Sequence, residues 1–384
     1  MPLTCLLLLV LGADEPGSLD ALRPALAAYR ADLDAVRKAH GGARALPAVR
    51  FFLFGMGNRR KLIYQDGALR DARTGETLRR WDVAEDLIVP PSYTVGLRTR
   101  DGRDVRIVED EAGVWLVENG HRTALRTESR LSLPTFEGHP HAPVLRVLHQ
   151  ELLINVVDGR PVPNLFVYPR PWYRDGAMMA MAFRKTGNVG LLRDWILGLR
   201  EPFDRNNAGQ TEPDNLGQAL YLVSLVSDRS HPLVEIVRRE VPARLRDGHL
   251  TGDSDFAPHP VYQTKWLKFG LRSLGLEDPY TIPRVADSYS SLFWWDYTDQ
   301  HVATGSRHDS GDYPYLTWAD DHFYGQHKGP LGDRDYPLTW EAKASQADYA
   351  KLGILSDGYV KARLAAPHSW HAAEAFLRLM DETH

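Results

Sequence analysis

With 384 residues, 43% hydrophobic and 25% charged, the chain has the make-up of one large folded domain or a large and a small one. A formal net charge of −4 gives no basic field and argues against nucleic acid, and the single cysteine, Cys5, excludes an intrachain disulfide. No apolar run is long enough to span a bilayer.

The opening "PLTCLLLLVLGADE" has the apolar stretch of a secretory signal but no preceding Lys or Arg. Residues 1–13 are therefore expected to be a signal segment and the protein secreted or periplasmic. A partly buried N-terminus of a cytoplasmic protein is the alternative. Leu19, Leu22, Leu26, Tyr29, Leu33 and Val36 then recur at three- and four-residue steps, which predicts an amphipathic helix stopping at Gly41-Gly42. From Val49 to about Leu125 the pattern becomes short β-like runs separated by Asp66-Gly67, Asp101-Gly102 and Asn119-Gly120. Such pairs mark hairpins, because tight turns need positive φ. Residues 14–130 are expected to form a small antiparallel β domain led by a helix.

Beyond "LSLPTFEGHPHAP" the periodicity is mostly helical. Candidate helices are Val144–Val157, Gly176–Thr186, Gly190–Leu199, Asn215–Val226, Pro232–Arg244, Tyr262–Leu274, Glu341–Leu352 and Ser369–Asp381. Short connections between segments of similar length predict antiparallel helical hairpins. Two long stretches interrupt them, "FDRNNAGQTEPDN" and Asp296–Trp340, and long loops inside compact domains usually carry function.

The polar chemistry concentrates at helix starts. In "PRPWYRDG" the prolines force an extended approach to Trp172, Arg174 and Asp175. Asp175 is placed to cap a helix; with Arg174 it also makes a donor–acceptor pair suited to vicinal hydroxyls. The loop before the next helix carries Asp204, Glu212, Asp214 and Asn215, a density of hydrogen-bonding groups unlike a disordered linker. "VYQTKW" offers Tyr262, Lys265 and Trp266, for which core packing is an equal alternative. Farther on, Trp318, Asp320, Trp340 and Glu341 belong to a region of alternating acids and aromatics, and "PHSWHAAE" adds His371. Aromatic faces interleaved with carboxylates suit a sugar, which stacks through its C–H face and is cleaved by acids. No repeated His spacing, calcium loop, phosphate loop or nucleophile elbow is present, so neither metal nor cofactor is expected.

The segments "WYRDGAMMAMAFRKTGN", "GQTEPDNLGQAL", "LTWEAKAS" and "PHSWHAAEAF" resemble, in order, four helix-start motifs of the glucoamylase-like glycoside hydrolases with an (α/α)6 toroid. The resemblance covers roughly residues 144–384. It implies a mainly α fold, a toroid of helical hairpins behind the small β domain, with residues 144–384 as the catalytic domain. It also implies an exo-acting, inverting hydrolase of a neutral oligo- or polysaccharide. Arg174 and Asp175 then hold hydroxyls, Asp214 lines the same pocket, and Glu341 is the proton donor. Two departures stand out: Ala342 replaces a second Glu, and no carboxylate precedes "PHSWHAAE" where the family's base lies. Glu212 is taken as the base, with Asp175 and Asp320 in reserve. A polysaccharide lyase and a non-catalytic sugar-binding protein are the competing readings.

Overall fold

The computed structural model describes residues 19–40, 51–127, 130–285, 287, 289, 297, 341–342, 364–365 and 367–381. Helix α1 (Leu19–His40) forms where the apolar stripe predicts it, burying Leu19, Leu22, Leu26 and Val36. It lies on the second of two antiparallel meanders. The first meander is β1 (Phe51–Phe54), β2 (Leu62–Gln65), β3 (Ala68–Asp71) and β4 (Thr77–Arg80). The second is β5 (Val83–Val89), β6 (Thr94–Thr99), β7 (Asp104–Glu109), β8 (Val114–Glu118) and β9 (His121–Arg126). Gly96 on β6 lets α1 come close, since a Cβ there would meet Leu19 and Leu22 at 2.7 Å.

The run "FFLF" explains how the layers stack. Phe52 and Phe54 share a core with Tyr64 and Leu69 of their own sheet and Val95, Leu97, Val105, Ile107 and Leu116 of the other. Phe51, Leu53 and Ile63 belong to the core of the helical half. The first sheet is thus a middle layer covered on both faces, which is why β1 is continuously apolar rather than alternating.

The loop "GMGNRRK" after β1 ties these layers together. Glu109, at the end of β7, accepts from Gly55 N at 2.8 Å, Met56 N at 2.7 Å and Arg59 Nη1 at 2.9 Å. Lys61 donates to the carbonyls of Gly55 and Gly57, and Gly57 N reaches Leu153 O of the helical half at 2.8 Å. Burial pushes the Lys61 amine down to about 7 and raises the Glu109 carboxyl.

The helical half contains α2 (Ala142–Ile154), α3 (Tyr173–Thr186), the short α4 (Arg193–Leu197), α5 (Asp214–Ser224), α6 (Pro232–Glu240), α7 (Pro260–Ser273) and α8 (Ser369–Asp381). α8 packs on α2 and α3, and α5 packs on α3, α6 and most extensively on α7. Glycines allow that last approach. A Cβ on Gly217 would lie 2.1 Å from the Trp266 carbonyl carbon, and one on Gly270 would lie 2.3 Å from Gly217 O.

The expected mainly α toroid is not what forms. Helix makes up 40% and strand 22%, with nine strands in the N-terminal half, so the chain is an α+β protein. The physical reason is that the Asp-Gly and Asn-Gly turns close two full sheets, which bury a core of their own instead of decorating a helical ring. A second correction concerns the helix expected over Glu341–Leu352. Glu341 and Ala342 are extended and pair antiparallel with Ala365 and Leu364. The other residues of that expected helix lie outside the described residues, as do residues 1–13. Among the described residues no helix is long and apolar enough to cross a membrane.

Candidate functional site

The starts of α3, α5, α7 and α8 converge on one buried polar cluster. At its centre is Arg174, in the first turn of α3 and 5% exposed. Its Nη1 lies 3.3 Å from Glu212 Oε2 and 3.6 Å from Asp214 Oδ2. The guanidinium sits over the rings of Trp370 and Tyr289, at 5.2 and 5.5 Å from their centroids. Burial opposes its charge, but Tyr289, Glu212, Asp214 and Tyr262 outweigh burial and hold it firmly cationic.

Both acids facing Arg174 are fixed by other partners. Glu212 Oε1 accepts from Asn206 Nδ2 at 3.1 Å and from Asp255 N at 2.7 Å. Asp214, in the favourable first turn of α5, accepts from Ser254 Oγ at 2.5 Å and from Gln218 Nε2 at 2.8 Å. Gln218 also donates to Tyr262 OH at 3.3 Å and accepts from Asn215 Nδ2 at 3.1 Å. Asn215 Oδ1 in turn accepts from Asp204 N at 3.2 Å.

Asp175 does not take the capping role its position suggests. The helix N–H at Tyr173 is capped instead by the Asp204 carboxylate, from the loop before α5. This leaves Asp175 to face α8, where Ser369 Oγ donates to its Oδ1 at 2.9 Å. Burial raises the Asp175 carboxyl to about 6 and that of Asp204 to about 7. Asp175 Oδ2, Arg174 Nε and Trp370 Nε1 are shielded from solvent and find no hydrogen-bond partner among the described residues. Each such orphaned group costs about 1–3 kcal/mol, so their grouping is expensive unless a polar ligand completes it.

An aromatic wall closes one side. Tyr289 packs between Tyr262 at 4.7 Å, His259 at 4.4 Å and Trp370 at 5.2 Å. Trp172 stacks on Tyr168 at 5.2 Å, and Tyr168 meets His368 at 6.0 Å. His371 completes the run beside His368 at 5.2 Å.

The structure thus brings together Arg174, Asp175, Glu212, Asp214, Asn215 and Tyr262, with Trp172 and His371 on the flanking aromatic run. Trp266 stands behind them, fully buried, one turn along α7 from Tyr262. Lys265 is engaged in a buried ion pair, its Nζ 3.1 Å from Asp287 Oδ2. Trp318, Asp320 and Trp340 lie outside the described residues. Of Glu341 the structure describes the backbone, which pairs with Ala365, a residue that precedes Ser369 in the chain. Sequence reasoning missed Ser254, Asp255, His259, Tyr289 and Ser369, and marked Asp204 only as one of the polar groups of its loop. Ser369 alone had a visible signal, inside "PHSWH".

A separate cleft of about 290 Å³ lies beyond the extended segment, lined by Arg73, Asp158, Arg160, Pro169, Arg170 and Pro171 among others. Its charged side chains, Arg73, Asp158, Arg160 and Arg170, are exposed, and it has none of the buried carboxylates of the cluster, so the cluster is the stronger site. Among the described residues no three His, Cys, Asp or Glu side chains are grouped as a metal centre. No protein-family model, curated protein or solved structure matches the chain.

Proposed function

We propose that this protein is a glycoside hydrolase acting on a neutral oligo- or polysaccharide at the Arg174–Asp175 cluster. The observation that carries the reading is the set of three solvent-shielded polar atoms, Asp175 Oδ2, Arg174 Nε and Trp370 Nε1, without partners among the described residues. One acceptor and two donors beside an aromatic wall match the alternating O–H groups and apolar C–H face of a sugar ring. Arg174 and Lys265 are each matched to acids, which leaves them poorly suited to neutralise a uronate and favours a neutral sugar over a lyase substrate.

Hydrolysis requires a proton donor for the leaving oxygen and a second carboxylate that activates water or attacks. Glu341 is the donor in this reading, supported by a register that sets its backbone opposite Ala365, close in sequence to the Asp175 partner Ser369. Glu212 has both oxygens engaged and serves by holding Arg174 in place. Asp175, with one oxygen open and its carboxyl raised to about 6, has the chemistry to accept an O–H from the sugar or from an attacking water near neutral pH.

The test is hydrolysis of α- and β-linked neutral oligosaccharides by the parent and by Glu341→Gln, with product anomers followed by NMR. Cleavage of one substrate with inversion, lost in the variant while binding persists, supports the proposal. Equal cleavage by Glu341→Gln removes that residue as donor. Sugar binding without cleavage by either protein puts a non-catalytic binding module ahead.

A further inference from the structure

The hairpin Asp253–Pro258 pairs Asp253 with Pro258 and Ser254 with Ala257, leaving Asp255 and Phe256 as its two turn residues. Both have positive φ, 50° and 69°. Four other described hairpins in this chain use the same two-residue turn: Asp66-Gly67, Asn119-Gly120, Asp158-Gly159 and Asp247-Gly248. Each has glycine at the second position, the residue that adopts this conformation without a Cβ clash. Only the Asp255-Phe256 turn places a bulky side chain there. Tyr93 and Phe136 also have positive φ, but Tyr93 is buried and Phe136 packs on Phe376 at 5.7 Å, so tertiary contacts compensate them. Phe256 has no such compensation, being 60% exposed, the most exposed large hydrophobic among the described residues.

The strained residue is also rigidly anchored to the candidate site. Ser254, just before the turn, donates to Asp214, and Asp255 N donates to Glu212. Asp255 Oδ2 accepts from Tyr289 OH at 3.2 Å, and Tyr289 is the ring beneath Arg174. Gln263 of α7 fixes the hairpin further, donating to Gly252 O at 2.8 Å and to Ser254 Oγ at 3.0 Å. An unfavourable conformation that holds an exposed aromatic on a turn bolted to a polar cluster is a mark of function.

Resting on the reading of that cluster as a sugar site, we infer that Phe256 is a stacking platform for a sugar unit of the chain lying outside the cluster. It determines preference for oligosaccharides over disaccharides and takes no part in bond cleavage. A phenyl face offers C–H stacking to a pyranose ring without hydrogen bonds, so it selects chain length rather than hydroxyl configuration.

Calorimetric titration with the disaccharides and pentasaccharides of the malto-, cello-, xylo- and chito-series tests this on the parent, Phe256→Gly, Phe256→Trp and Asp175→Asn. Glycine relieves the strain, so Phe256→Gly is expected to melt at a higher temperature than the parent while binding the preferred pentasaccharide about tenfold more weakly. Disaccharide affinity stays unchanged, Phe256→Trp retains pentasaccharide binding, and Asp175→Asn loses both ligands. If Phe256→Gly binds the pentasaccharide as the parent does while Asp175→Asn binds neither, the platform is wrong and the sugar site stands. Equal weakening of both ligands in Phe256→Gly also overturns the platform. If the parent binds none of the sugars, the site reading and the platform fall together.

Discussion

The Ser369 hydroxyl donates to Asp175 Oδ1 at 2.9 Å, joining two helix starts that are 194 residues apart in the chain. This bond leaves the second Asp175 oxygen buried without a partner among the described residues, and burial raises the carboxyl from its ordinary 3.8 to about 6. The native state therefore holds a proton that the unfolded state has released between those values. Asp175 contributes stability that is fully present below about pH 4 and lost as pH rises through 6. Asparagine keeps the acceptor for Ser369 and removes the buried charge. Asp175→Asn is thus expected to exceed the parent in unfolding free energy at pH 8 by about 1–3 kcal/mol, with the advantage vanishing near pH 4. Urea unfolding at the two pH values measures it; an advantage independent of pH contradicts the assignment.

Arg174 balances two buried acids, so its loss strands them. Arg174→Met is expected to cost about 3–5 kcal/mol by leaving Glu212 and Asp214 without their cation. Adding Glu212→Gln removes one stranded charge, and the double variant is expected to recover about 1–2 kcal/mol of that loss. A double-mutant cycle by denaturant unfolding checks the coupling, and strict additivity would show that the ion pair carries little energy.

Substitution of Gly217 reverses a familiar sign. Glycine to alanine within a solvated helix stabilises by up to about 1 kcal/mol. Here the new methyl would meet backbone atoms of Trp266 and Leu267, at 2.1 and 2.4 Å. Helices α5 and α7 must separate, so Gly217→Ala is expected to lower stability by about 3 kcal/mol and to loosen the Gln218 link between Asp214 and Tyr262. Thermal melting and sugar affinity report both effects.

Lys61 supplies a pH signature for the β half. Burial lowers its amine to about 7, while the unfolded chain holds that proton to about pH 10. The unfolded state therefore binds more protons from neutrality upward, and this site makes stability rise with pH. Relative to Lys61→Met, the parent is expected to gain about 2 kcal/mol between pH 7 and 9. Parallel stability curves for the two proteins would contradict a buried, neutralising lysine.

Local patterns made much of this architecture legible. The stripe from Leu19 to Val36 specified α1, and Asp66-Gly67 and Asn119-Gly120 specified hairpins, because both depend on neighbours in sequence. The weight of the β half was misjudged because "FFLF" does not announce that its two faces serve different cores. The helix expected at Glu341 failed for a related reason: pairing with Leu364–Ala365 is a non-local contact that overrides local propensity. Arg174, Asp175, Glu212 and Asp214 could be picked out by residue type at helix starts. The Asp204 cap, the Ser369 bond and the Tyr289 wall depend on segments remote in sequence, and no spacing rule reveals them.

In the proposed function the orphaned polar atoms around Arg174 receive a sugar. The most direct measurement is a crystal structure of the Glu341→Gln variant with the pentasaccharide it binds best. A ligand or attacking-water oxygen is expected about 2.8 Å from Asp175 Oδ2 and a sugar hydroxyl on Arg174 Nε, with the ring against Trp370. A sugar bound elsewhere, with Asp175 Oδ2 still unpartnered or bonded to the protein itself, would contradict it.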